Sequence, residues 1–267
     1  MAQNIKDRTY LATTGKYAVR LAGEHGLGLE LDHICQSLWL DGDKKPKIES
    51  KMRKDIEKAG ASRLILHAPF TELFPAAIDP KARELAADRF GAALSMSKDF
   101  GINRVVVHSG YLPRVYFKSY HEEKSVEFWT ELLAGYPDDM MIMIENVLED
   151  EPYMMRSMLE KLETAEKERG GKHRYGICLD VGHAAVAGDV PVAEWIDVLG
   201  KYIVHTHLHN NNGEGDFHDV FDCEGGVLDM GKVLDDLISK GADDMTFTIE
   251  ALEPEPCIVW MKQRGYI

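Results

Sequence analysis

The sequence has no long hydrophobic run and little cysteine, and each absence excludes a class of protein. No stretch approaches the roughly 18 apolar residues that suggest a membrane span, and the N-terminal segment lacks the apolar core of a secretion signal. The four cysteines lie far apart without a CxxC pair, which argues against a cysteine zinc site and against a disulfide framework. We therefore expect a cytoplasmic protein without a membrane partner.

Basic residues are also few in comparison with acidic ones. The chain has 31 Lys and Arg against 45 Asp and Glu, a formal net charge of -14. An acidic chain has no general attraction for a polyanion, although a local basic patch remains compatible with this composition. Nucleic acid is therefore not the partner that charge favours.

What the sequence does contain is a regular alternation of short apolar runs with longer amphipathic, charged stretches. This alternation is typical of repeated βα units around a parallel sheet. The 267 residues, 45% of them hydrophobic, suffice for one large core of the size common in α/β barrels. We predict an α/β protein with one (β/α)8 TIM barrel domain over residues 1–267. The predicted strands are Tyr10–Thr14, Gly28–His33, Arg63–Ala68, Arg104–Ser109, Met140–Asn146, Gly176–Val181, Tyr202–Leu208 and Thr246–Ala251.

Helix signals fill the stretches between these strands. Asp79 followed by Pro80 indicates an N-cap and a proline at the first helical position, and glycines stand where several helices should end. The predicted helices are Lys16–Gly26, Ser50–Gly60, Pro80–Phe100, Glu122–Gly135, Glu151–Gly170, Pro191–Gly200, Asp229–Gly241 and Pro254–Gly265.

Six of the predicted strands carry an ionisable residue near their C-terminal end. Strands of a sheet covered on both faces are normally almost continuous Val, Ile and Leu runs, so these residues need an explanation. In a (β/α)8 barrel that end of the strands is the active-site face. The six residues are His67, His108, Glu145, Asp180, His207 and Glu250.

Together these side chains predict a metal site. One strand-end histidine is more often a hydrogen-bonded core residue. Three carboxylates and three imidazoles at one mouth, however, would leave buried like charges unless a cation compensates them. The mixed nitrogen and oxygen ligands suit Zn²⁺ or Mn²⁺, with Mg²⁺ or Co²⁺ as alternatives.

The loops beyond the strands add a second group of polar residues. His183, Asp216 and His218 are interpreted as substrate contacts or further metal ligands, although turn chemistry alone also explains them. For the strand interiors we predict structural roles for His205, Thr246 and Thr248, and we leave His209 unassigned.

The motifs HAP, HSG, IEN, LDVGHA, HLHNN…DxH…GG and TIEAL resemble those of the xylose isomerase-like barrel superfamily, from about residue 60 to the end. This superfamily contains sugar isomerases and epimerases, inosose-processing enzymes and endonuclease IV-type AP endonucleases. Resemblance to its single-metal isomerases implies that Glu145, Asp180, His207 and Glu250 bind the metal. It also implies that Glu145 and Glu250 are the acid/base pair, and that His183 contacts the sugar. The endonucleases use further ligand positions, which match His67, His108, His183, Asp216 and His218.

Two functions are compatible with this resemblance. The loops Thr71–Asp79, Val147–Asp150, Ala184–Val190 and His209–Gly226 contain no Lys or Arg with which to hold a phosphodiester. The chain after His67 also departs from the DNA-penetrating loop of the endonucleases.

We therefore expect a metal-dependent isomerase or epimerase that abstracts a proton next to the carbonyl of a small sugar, polyol or keto-sugar. A zinc-dependent AP endonuclease is the alternative, and a barrel that only binds a ligand is a third reading. Substrate contacts are expected from Phe70, Asn146 and Arg114, the last of these for a phosphate if one is present.

Overall fold

Eight parallel strands close into a barrel in chain order, with the last strand paired to the first, in a computed structural model that describes residues 3–172 and 174–267. The predicted (β/α)8 barrel is thereby confirmed. The strands are β1 (Thr9–Ala12), β2 (Gly28–Leu31), β3 (Leu64–His67), β4 (Arg104–His108), β5 (Met141–Glu145), β6 (Tyr175–Asp180), β7 (Ile203–Leu208) and β8 (Thr246–Ile249).

Helices surround the barrel. None of them, in the part of the chain that the structure describes, is long and apolar enough to cross a membrane. They are α1 (Ala18–His25), α2 (Lys44–Ala59), α3 (Pro80–Asp99), α4 (Lys118–Leu133), α5 (Tyr153–Glu168), α6 (Val181–Ala187), α7 (Val192–Leu199), α8 (Met230–Lys240) and α9 (Pro254–Arg264).

Three helices depart from the sequence prediction by more than two residues, and the smallest difference is in α4, which begins at Lys118 rather than at Glu122. Helix α2 begins at Lys44 rather than at Ser50. Its first turn is lysine-rich and contains Pro46, which is tolerated there although it gives no apolar periodicity. Helix α6 was not predicted, because seven residues are too few for a periodic pattern. It begins directly after β6, and Asp180 caps it by accepting a hydrogen bond from the His183 backbone N–H at 2.7 Å.

The strands bury side chains on both faces. Those that point outward pack against the helices in one continuous hydrophobic core. Those that point inward form a smaller apolar layer, in which Ile65, Val106 and Met143 each precede by two residues the ionisable side chain that ends the strand. Because alternate residues of a strand share a face, this layer lies directly beneath the polar mouth and excludes water from below it.

The barrel interior leaves no room for a side chain at Gly28. A Cβ there would lie 2.3 Å from the ring of Tyr10, its partner across the β1–β2 pair. We expect Gly28→Ala to lower the free energy of unfolding by about 1–3 kcal/mol, the usual cost of overpacking a core. Urea unfolding measures this, with Gly135→Ala as the control because an added Cβ there meets nothing within 4 Å. Equal stability of the two variants would contradict the packing described here.

Candidate metal centre

Glu145 occupies the centre of the barrel mouth and contacts imidazoles on both sides. It ends β5 and is 1% exposed. Its Oε1 lies 3.2 Å from His207 Nδ1. Its Oε2 lies 3.2 Å from His67 Nε2 and 3.3 Å from His108 Nε2. The carboxylate of Glu145 therefore belongs to two groups of possible metal ligands.

The first group surrounds His207 Nδ1 with carboxylate oxygens. Glu250 Oε2 is 3.1 Å away, Glu145 Oε1 3.2 Å and Asp180 Oδ2 3.6 Å. Tetrahedral ligands about 2.1 Å from an ion are separated from one another by about 3.4 Å, so these spacings suit one divalent ion. Although Glu250 Oε2 lies close to His207 Nδ1, it is buried and makes no hydrogen bond among the described residues. A buried oxygen without a hydrogen bond is expected where the atom binds a metal ion. These four residues are the ligands predicted for the single-metal core.

A second group consists of His67, His108 and Glu145 Oε2. Their ligand atoms lie within 4.8 Å of one another, a spacing compatible with an ion between them. Burial lowers the pKa of His108 to about 3, so its imidazole is neutral and one of its two ring nitrogens has a lone pair to donate. Phe70 stacks on the same ring with centroids 4.1 Å apart and holds its orientation.

A third group forms around Asp216 Oδ2. His183 Nε2 lies 3.2 Å from this oxygen and His218 Nε2 3.1 Å. The His183 side chain is fixed because its Nδ1–H donates to the carbonyl of Asn146 at 2.9 Å. His183 is therefore held by the first turn of α6 and by β5, and it does not lie in a loop as we expected. The structure thus brings together every residue assigned from sequence to a metal.

Of the three residues expected to contact a substrate, Phe70 lines the cavity at the mouth. Asn146 does not line it, because both ends of its amide pair with the backbone of Asp180, at 3.0 Å and 2.9 Å, and tie β5 to β6. Arg114 is exposed in the loop after β4 and is likewise absent from the cavity wall. Neither residue is placed to touch a substrate in this cavity.

Four residues at the mouth were not assigned from sequence. Glu30 lies on β2 beneath the metal ligands, and Asp32 and Cys35 line the cavity from the loop after that strand. His209 Nε2 lies 3.1 Å from Asp180 Oδ1 and its ring stacks on His218. The signal for Glu30 was present in the sequence, since a carboxylate inside a buried strand is as unusual at Gly-Leu-Glu-Leu as at the six strands we identified.

The cavity above these groups has a volume of about 410 Å³. Within the described part of the chain, no Lys or Arg contributes to its wall. Two nearby lysines are engaged elsewhere, Lys16 with Glu253 and Lys118 with Asp150 and Glu151. The lining residues are Thr14, Asp32, Cys35, His67, Phe70, His108, Glu145, Val147, His183, Asp216, His218, Glu250 and Leu252.

Electrostatics favour the ionised form of Glu145 and the charged form of His218. Burial opposes ionisation of Glu145, but the neighbouring His207 charge and hydrogen bonds from His183 and His207 keep its pKa well below the ordinary value. Burial likewise opposes a charge on His218, yet its hydrogen bond to Asp216 and the Glu250 charge raise its pKa to about 9. Without a metal, protons on the imidazoles balance the carboxylates.

The metal-free protein should lose stability as pH rises. His218 has a raised pKa in the folded state, so its contribution is fully present below about pH 6.5, its unfolded value. That contribution is lost as pH rises through its folded pKa of about 9. We expect the melting temperature of chelator-treated protein to fall over this window. His218→Asn, which suits the left-handed backbone at φ 51°, should make the fall shallower. A melting temperature of wild type that stays level or rises would contradict this charge balance.

Comparison with known proteins agrees with the barrel fold. The sequence model of a family described as xylose isomerase-like TIM barrel matches residues 25–262. An uncharacterized protein of Methanocaldococcus jannaschii is 31% identical over 170 residues, which are 58% of this chain and 54% of that protein. A probable endonuclease 4 of Methanoculleus marisnigri is 24% identical over 196 residues, which are 68% of this chain and 69% of that protein. The chain therefore spans only about half the length of the first of these relatives.

Two solved structures share the fold over almost the whole chain. A D-tagatose 3-epimerase-like protein superposes with a TM-score of 0.72 at 22% identity, covering 97% of this chain and 96% of that one. A protein from Thermus thermophilus, whose crystals were soaked with ZnCl2, gives a TM-score of 0.69 at 24% identity, covering 96% of this chain and 97% of that one. At these identities the likeness concerns the fold alone.

Proposed function

Because the chain belongs to the xylose isomerase-like TIM barrel family, we propose that it is a divalent-metal-dependent isomerase or epimerase of a small sugar, polyol or keto-sugar. The observation that carries the proposal is the convergence of two carboxylates, Glu145 and Glu250, on His207 Nδ1 at the floor of a cavity without Lys or Arg in its described wall. The likeness to a D-tagatose 3-epimerase-like protein supports it.

The two carboxylates come from strands that are three apart in the barrel, Glu145 from β5 and Glu250 from the end of β8. In the proposed reaction one of them removes the proton from the carbon next to the substrate carbonyl. The electron pair of that bond forms the double bond of an enediolate, and the other carboxylate returns a proton to complete the isomerisation or epimerisation. A bound Zn²⁺ or Mn²⁺ would polarise the substrate oxygens and lower the cost of the negative charge.

Two further residues that line the cavity would help to position the substrate. His183 faces the cavity from α6, and its Nε2, which lies 3.2 Å from Asp216 Oδ2, would hydrogen-bond a substrate hydroxyl in place of that carboxylate. Phe70 provides an aromatic wall on which the apolar face of a sugar ring can pack. Because no cation lines the described wall, the cavity favours a neutral substrate over a phosphorylated one.

Deuterium exchange tests this proposal directly. Protein loaded with Mn²⁺ or Zn²⁺ and incubated with a panel of ketoses in D2O should incorporate deuterium at the carbon next to the carbonyl, as seen by proton NMR. Glu145→Gln should lower the exchange rate at least about 100-fold, since a positioned acid/base group contributes that much or more. Glu72→Gln, an exposed residue of a mouth loop, serves as the control. No exchange with any ketose by the metal-loaded wild type would refute the proposal.

Phosphodiester hydrolysis is a second candidate function. The observation that favours it is the presence of three groups of metal ligands, with Glu145 shared between two of them, in a chain related to a probable endonuclease 4. A cluster of metal ions can bind and activate a phosphate without help from Lys or Arg. The lack of Lys and Arg in the described wall and the acidic composition favour the sugar substrate.

Incision of DNA distinguishes the two functions. We expect metal-loaded protein to leave intact a duplex that contains an abasic-site analogue, because no cationic side chain of the described cavity wall binds the backbone that flanks the lesion. Denaturing electrophoresis of a labelled strand gives the readout, and His218→Asn serves as a control that breaks the third ligand group. Rapid incision by the wild type that disappears in His218→Asn would reverse our ranking.

A further inference from the structure

Glu30 is a buried carboxylate beneath the metal ligands that the proposed reaction does not use. It lies on β2, faces the barrel interior and is 1% exposed. Its Oε1 is 3.0 Å from His207 Nε2, the ring nitrogen opposite the one that faces the other carboxylates. Its Oε2 is 3.0 Å from His205 Nε2 and 2.5 Å from Thr248 Oγ1.

The chemistry of these contacts fixes the direction of each hydrogen bond. An ionised carboxylate only accepts, so His207 Nε2, His205 Nε2 and Thr248 Oγ1 must each donate to Glu30. His205 can do so as a neutral ring, because its Nδ1 lies 2.7 Å from Thr246 Oγ1, which donates in turn. Glu30 thus receives three donors, which satisfies a fully buried charge.

We propose that Glu30 is a positioning residue that holds His207 in the form required to bind the metal. With a hydrogen fixed on Nε2, the lone pair of His207 lies on Nδ1, and this atom faces Glu145, Asp180 and Glu250. The carboxylate also makes the imidazole a stronger donor, as carboxylates behind metal-bound histidines do in other proteins. This inference rests on the proposed metal centre and not on the reaction that the centre performs.

His205, Thr246 and Thr248 act in this arrangement through Glu30. Thr248 and His205 donate to Oε2 of Glu30, and Thr246 contacts His205 Nδ1, so that Oε1 of Glu30 faces His207. The sequence predicted structural roles for these three residues, and the contacts with Glu30 specify what those roles are. They hold the group that orients a metal ligand.

NMR of the wild-type protein tests the assignment without any substitution. In zinc-loaded, ¹⁵N-labelled protein, the long-range proton–nitrogen spectrum should show His207 with a hydrogen on Nε2 that is protected from exchange, and with Nδ1 bound to the metal. A hydrogen on Nδ1, or zinc on Nε2, would overturn the proposal. Because this spectrum identifies the tautomer alone, its result is independent of whether any sugar is turned over.

Substitution gives the second arm of the experiment. Glu30→Gln keeps the shape of the side chain and removes its charge, and we expect it to weaken Zn²⁺ binding about 10–100-fold in competition with a chromophoric chelator. Glu166→Gln is the matched control, since Glu166 is a buried carboxylate paired with Arg169 on the outer side of the barrel, far along α5 from the mouth. Equal zinc affinity of Glu30→Gln and wild type would overturn the role of Glu30 and leave the proposed reaction standing.

A gentler substitution covers the case in which Glu30→Gln does not fold. Thr248→Val removes one of the three donors to Glu30 and retains the carboxylate. It should weaken zinc binding by a smaller factor and broaden or shift the His207 Nε2 hydrogen signal. If Thr248→Val leaves both the affinity and the signal unchanged, the orientation of Glu30 does not matter to the metal, and the proposal fails.

Discussion

The mouth of this barrel is organised by the need to balance buried carboxylate charge. Glu145, Asp180 and Glu250 direct oxygens at one imidazole nitrogen, His207 Nδ1, inside a protein environment that makes isolated charges costly. A cation resolves the conflict, whether it is a metal ion between the oxygens or a proton on the imidazole. The ring of histidines around Glu145 and the capped start of α6 follow from the same requirement.

The charged residues at the barrel mouth also determine which kinds of molecule the cavity favours. The described wall contains no Lys or Arg, and besides carboxylates and imidazoles it offers one aromatic ring, Thr14, Cys35 and two apolar side chains. For the proposed reaction, that combination suits a neutral, hydroxyl-rich molecule whose carbonyl would bind the proposed ion. Glu145 also belongs to a second group of possible metal ligands, with His67 and His108.

Much of this arrangement could be predicted from the sequence, because a parallel barrel imposes two strong rules. Its strands must be apolar on both faces, and its active site lies where the strands end. A charged residue at the end of an apolar run, such as Asp180 or Glu250, is therefore conspicuous. Helix α6 escaped prediction because one cap at Asp180, and not a periodic pattern, determines it.

The residue roles that could not be predicted depend on where a side chain points in the folded protein and not on where the residue lies in the sequence. Asn146 follows β5 beside Glu145, and its sequence context gives no sign that its amide faces the backbone of β6 rather than the cavity. Arg114 stands in a mouth loop, yet that loop carries it outward to solvent. Glu30 supports a metal ligand from a strand that is distant in sequence, a relation that only the closed barrel creates.

Anomalous diffraction from crystals soaked in Zn²⁺ or Mn²⁺ would show directly whether an ion binds among the carboxylates at the barrel mouth. We expect a peak bound by Glu145, Asp180, His207 and Glu250, with ligand distances of about 2.0–2.2 Å. Further peaks at His67 and His108, or at His183, Asp216 and His218, would show how many of the three ligand groups bind an ion. The absence of any peak among Glu145, Asp180, His207 and Glu250 would show that these four residues do not form a metal centre.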